Sequence, residues 1–121
     1  MKGLTKMKRQ LAYITAAWNG NDFENTNTAV TYCRAVYEAG YSPICPTLYM
    51  PLFLMDEIPE EHKSGIDMSR ELLRRSHVIV VCGDAVDENV KNDIATAARL
   101  NITATTLEGI LSVKSHCRVM I

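Results

Sequence analysis

His77-Val78-Ile79-Val80-Val81-Cys82, closed by Gly83-Asp84, is the stretch that decides the fold. An unbroken run of β-branched residues presents apolar side chains to both faces of a strand, which is the condition of a strand covered on both sides in a parallel sheet. The run is therefore expected near the sheet's centre. Upstream, Leu11 to Thr15 reads as a second short apolar strand. It opens into Ala16 to Asp22, an Asn/Gly-rich turn. From Glu24 to Ala39, Ala29, Val30, Cys33, Val36 and Tyr37 recur at helical spacing, and Gly40 supplies the stop. Tyr41 to Cys45 is a third strand, and Pro43, which has no N–H to donate, argues for an edge or an irregular end.

Leu48 to Ile58 is apolar but interrupted by Pro51, which suits a loop or short helix lying over a pocket. Pro59 to Arg75 resumes a helical pattern through Ile66, Ser69, Leu72 and Leu73, with acidic residues at its start and arginines at its end, matching the helix dipole. Asp87 to Leu100 forms another helix, with Val90, Ile94, Ala97 and Ala98 on one face, and Ile102 to Leu107 a Thr-rich final strand. Strands and helices alternate throughout. That order specifies a single doubly wound α/β domain of Rossmann or flavodoxin-like type, with a mostly parallel sheet of about four to five strands. Residues 1–10 form a lead-in, 11–107 the domain and 108–121 a tail. In this architecture ligands sit outside the carboxyl ends of the strands, where loops 15–23, 46–58 and 83–89 should converge.

The chain has 121 residues, enough for one core, with 13 basic and 14 acidic side chains. A formal charge of -1 supplies no field to attract a phosphate backbone, so nucleic acid is not expected as a partner. No apolar run approaches the roughly 20 residues that span a bilayer, and the basic start lacks an export signal's apolar core. A soluble, cytoplasmic protein is expected. The four cysteines show no CxxC pair, and they read as reduced thiols, mostly core fillers. The histidines are scattered, so neither a metal nor a cofactor is expected.

The first loop runs Ala16-Ala17-Trp18-Asn19-Gly20-Asn21, not G-x-G-x-x-G, and no G-x-x-x-x-G-K-[ST] occurs, which argues against a standard dinucleotide or ATP site. It offers instead an indole, Trp18, that can stack on a flat ring, the amide of Asn19, and Tyr13 within the preceding strand. The second polar cluster is Gly83, Asp84, Asp87, Glu88 and Asp93. At a helix start Asp87 is first of all a cap. Asp93 lies on the second turn, and small Ala95 and Ala97 after it permit close approach.

Tyr13-Ile14-Thr15-Ala16-Ala17-Trp18 resembles the first strand and loop of nucleoside 2-deoxyribosyltransferases. The segment from His77 to Gly83, followed by Asp87-x-Asn89-x-x-x-Asp93-x-Ala95-x-Ala97, resembles that family's buried strand and its D-x-G-x-x-x-E-x-G-x-A, at the same spacing. The resemblance covers residues 11–105 or thereabouts. It is closer still to the uncharacterised branch of that superfamily, of unknown function and often found in phages and bacteria, through Cys33-Arg34 and Gly40-Tyr41-Ser42-Pro43-Ile44. It implies that Asp93 stands at the nucleophile's place, that Tyr13 contacts this carboxylate, and that Asp87 faces the ligand. Trp18, Asn19, Gly83, Asp84 and Asn89 are the expected ligand contacts. Departures are Asp for Glu at 93, Asn89 and Ala95 for glycines, and Ser69 where the family has a second helix carboxylate.

Two functions follow. One is a nucleoside- or nucleotide-binding protein that cleaves or transfers an N-glycosidic bond through the Asp93 carboxylate; the other is a non-catalytic module that senses or sequesters a nucleotide-derived ligand. A homo-oligomer is expected, because shallow loops need a neighbour to close a pocket, with the 48–58 segment and the helix from Pro59 as contacts.

Overall fold

Strands β1 (Leu11–Ala16) and β3 (Val78–Cys82) pair in parallel from Ala12 beside Val78 to Ala16 beside Cys82, and together they make the centre of the sheet. The computed structural model describes residues 8–18 and 22–112. β2 (Ser42–Ile44) flanks β1, and β4 (Thr103–Thr106) flanks β3, giving the order β2-β1-β3-β4 with every pairing parallel. The expected doubly wound α/β class is the observed one, with a sheet of four strands. From β1 the chain moves outward to β2, then crosses back over β1 to β3. The direction of winding therefore changes between β1 and β3, the position at which doubly wound sheets hold ligands outside the carboxyl ends of their strands.

Strand alternation divides the core in two. Ala12, Ile14, Val80 and Cys82 pack on one face with Val36 of α1 (Asp22–Glu38) and with Ile110, which lies in a helical stretch over 107–112. Tyr13 and Ile79 face the opposite way, onto Leu73 of α2 (Pro59–Arg74) and Ala97 of α3 (Glu88–Arg99). Each buried Leu or Ile contributes about 1.5–3 kcal/mol relative to exposure. The inward face of α1 differs from the expected one: Ala29, Cys33 and Val36 turn in, whereas Val30 and Tyr37 are exposed. One position of rotation, about 100°, separates the two sets. The Tyr37 ring is instead covered by Arg9, whose guanidinium lies 4.7 Å from the ring centre.

The edge position of β2 accounts for Pro43, whose missing N–H interrupts no ladder there. After β2, Pro46–Leu48 and Met50–Leu52 form two single 3-10 turns. Met50 is buried, and the segment is anchored to the start of α2 through Met55 N–H to Glu61 Oε1 at 2.8 Å and the His62–Asp56 pair at 2.6 Å. Among the described residues no helix is long and apolar enough to cross a membrane.

Candidate functional site

Tyr13 and Thr15 stand two residues apart in β1, so both project onto the face covered by α2 and α3. Thr15 is buried, and its hydroxyl donates to Asp93 Oδ2 at 2.7 Å. Asp93 Oδ1 has no hydrogen-bond partner among the described residues. Burial raises the Asp93 carboxyl above its usual range; the Thr15 hydrogen bond and the Arg70 charge oppose this, and Asp87 adds to it. Tyr13 is 5% exposed. Burial, and then the charge of Asp93, push its phenol far up, while a hydrogen bond with Ser69 of α2 pulls the other way. Ser69 also donates to Met50 Sδ at 3.7 Å, which ties the 46–58 segment to this side of the sheet.

Asp87 immediately precedes the helix that carries Asp93. One oxygen, Oδ1, accepts from Val90 N–H at 3.0 Å and caps α3, while Oδ2 accepts from the Trp18 N–H at 3.2 Å. Both carboxylate oxygens are thus engaged by backbone, and the loop after β1 is fastened to the start of α3. Trp18 is half-buried beside this clamp.

The remaining residues expected at the site are distributed differently. Gly83 and Asp84 line a depression of about 190 Å³ with Val81, Thr106, Leu107 and Glu108, on the β4 side of β3. Gly83 takes φ +82°, a conformation that favours glycine, and a Cβ there would stand 2.8 Å from the Tyr32 hydroxyl and displace it. Asn89 is exposed on the first turn of α3. Asn19 lies outside the described residues. The arrangement brings Tyr13 to Asp93 and Trp18 to Asp87. It adds Thr15 and Arg70, which no sequence feature singled out, and Ser69, expected only as a departure at a carboxylate's place; the two-residue spacing of Tyr13 and Thr15 was the available signal for the first. Among the described residues no group of three or more His, Cys, Asp or Glu is placed to hold a metal ion.

A family model described as a domain of unknown function, DUF7768, matches residues 10–107. The chain belongs to the DUF7768 family. The match starts one residue before β1 and ends one residue past β4, so the DUF7768 unit contains the whole sheet and the residues around Asp93. No curated protein matches the sequence. Among solved structures, the DUF7768 domain is similar to a 2-deoxyribosyltransferase from the psychrotolerant bacterium Bacillus psychrosaccharolyticus, a biocatalyst for the synthesis of antiviral and antitumoral nucleosides. The TM-score is 0.66 at 10% identity, covering 79% of this chain and 70% of that one. At that identity the likeness concerns the fold.

Proposed function

We propose that this DUF7768 protein binds a nucleoside or nucleotide at the carboxyl ends of β1 and β3, and cleaves or transfers its N-glycosidic bond through Asp93. The observation that carries the reading is the Thr15–Asp93 pair: a partly buried carboxylate, held through one oxygen at 2.7 Å with the other unengaged, at the carboxyl end of a central strand. A partly desolvated carboxylate is suited to attack an anomeric carbon. The C–N bond breaks, a glycosyl ester forms on Asp93, and the departing base takes a proton from a neighbouring acid or solvent. Water or a second base then displaces the ester and restores the carboxylate. Tyr13, whose phenol holds its proton firmly, acts as a hydrogen-bond donor beside Asp93, and Trp18 offers its ring to the base. Asp87, with both oxygens engaged, acts by holding the Trp18 loop.

That same engagement favours the second reading, a binding module without turnover, since it leaves Asp93 with no free carboxylate partner from Asp87. The two are separated by incubating the protein with ribo- and deoxyribonucleosides and their 5′-monophosphates, and measuring both free base and binding heat. Base release supports the enzyme, binding alone the module, and neither excludes both. We further infer that copies of the chain associate through the 48–58 segment, whose Leu52 and Phe53 are 83% and 56% exposed.

A further inference from the structure

Cys33 projects from the inward face of α1, and Cys45 follows β2 directly. Both are free thiols with partial exposure, whereas among the described residues only Cys82 is the fully buried core filler expected, at 0%; Cys117 lies outside the described residues. Because α1 packs on β2, Cys33 and Cys45 are brought together against the same core cluster. The two thiols share the wall of a cavity of about 370 Å³ with Pro43, Ile44, Leu48 and Tyr49. Cys45 immediately precedes the Pro46–Leu48 turn, and Thr47 Oγ1 lies 3.4 Å from its Sγ.

The hydrogen bond from Cys33, aided by Thr47 and the backbone, lowers Cys45 to about 7 against the opposing effect of burial. The same thiol–thiol hydrogen bond, with burial, drives Cys33 far upward. Cys45, with the Thr47 hydroxyl beside its sulfur, is the member suited to attack, and Cys33 the one to resolve.

We propose that Cys45 and Cys33 form a reversible oxidation site for small hydroperoxides, distinct from the Asp93 carboxylate. The Cys45 thiolate attacks the terminal peroxide oxygen and the O–O bond breaks. Cys45 becomes a sulfenic acid, and the peroxide leaves as an alcohol or water after taking a proton from solvent. Cys33 sulfur then attacks Cys45 sulfur; the S–S bond forms, and the hydroxyl leaves with the Cys33 proton as water. Two thiols are oxidised and one peroxide is reduced. The product crosslinks α1 to the end of β2 and removes the Cys45 charge that raises the neighbouring Tyr13 phenol.

The full chain is treated with limiting hydrogen peroxide, its remaining thiols are blocked, and the disulfides are mapped by mass spectrometry. The expected product has lost two hydrogens, carries a Cys33–Cys45 linkage, and reverts with dithiothreitol. Cys33→Ser should stop at a Cys45 sulfenic acid that dimedone traps, and Cys45→Ser should leave Cys33 reduced under the same conditions. Alkylation of Cys45 in the untreated protein should titrate near pH 7 and shift upward in Cys33→Ala. Undiminished alkylation of both thiols after peroxide, or a linkage that omits either cysteine, overturns the proposal.

Discussion

The backbone N–H of Trp18 donates to Asp87 Oδ2 at 3.2 Å while Val90 N–H occupies Oδ1 at 3.0 Å, so one side chain both caps α3 and restrains the loop that follows β1. Two acceptors on one carboxylate couple the geometry of that loop to the start of α3.

Asp87→Ala removes both acceptors. The lost cap should cost about 0.5–2 kcal/mol, measured by urea unfolding. Hydrogen exchange at the Trp18 amide should accelerate as well; unchanged exchange there would reduce Asp87 to a helix cap.

Asp93→Asn preserves shape and an acceptor for Thr15 but removes the attacking charge. If the protein turns over a nucleoside, base release should fall by on the order of 10³-fold or more with binding still measurable by calorimetry. Undiminished release would exclude Asp93 as nucleophile. If the wild type only binds, the variant should change affinity alone.

The same variant should alter the dependence of stability on pH. Because burial raises the Asp93 carboxyl from its ordinary value of 3.8, the folded chain holds this proton to higher pH than the unfolded chain. Between those two values the folded state binds more protons, so this group's contribution is fully present below the unfolded value and is lost as pH rises through the folded one. Asp93→Asn should therefore be more stable than the wild type at pH ~7, the gap closing below pH ~4. Urea midpoints at both pH values test this, and a wild type that is the more stable at neutral pH would mean that Thr15 and Arg70 outweigh burial. Thr15→Val should raise the carboxyl further and cost about 1–3 kcal/mol, by leaving a buried acceptor unpaired.

Trp18→Ala should weaken ligand binding by about 1–3 kcal/mol under either functional reading, provided the indole stacks on a base. Titration of the two proteins with one nucleoside decides; equal affinities would return Trp18 to a packing role.

The exposed Leu52 and Phe53 should be covered by a second copy of the chain. Light scattering at micromolar concentration is expected to show a dimer or larger assembly, and Leu52→Glu with Phe53→Glu to shift it toward monomer. A monomeric wild type contradicts the association.

Much of this architecture follows from local order in the chain. The β-branched run through Val78–Cys82 requires cover on both faces, Pro43 argues for an edge or an irregular end, and the alternation of strand and helix requires parallel crossovers. Asp93 and Asp87 were legible as a helix carboxylate and a cap, because their positions relative to the start of α3 are properties of that segment alone. Periodicity identifies a face but not what lies across from it. Thr15 meets Asp93 over a separation of 78 residues, and Trp18 meets Asp87 over 69. Those contacts exist because the winding reversal sets β1 beside β3, and no neighbouring residue encodes them. Likewise Cys33 and Cys45, unremarkable as spacings, become a pair when α1 is laid on β2. Local pattern determined the elements and, α1 apart, the faces they bury; only the tertiary structure decided which polar side chains share a desolvated space, because that depends on packing between segments remote in the chain.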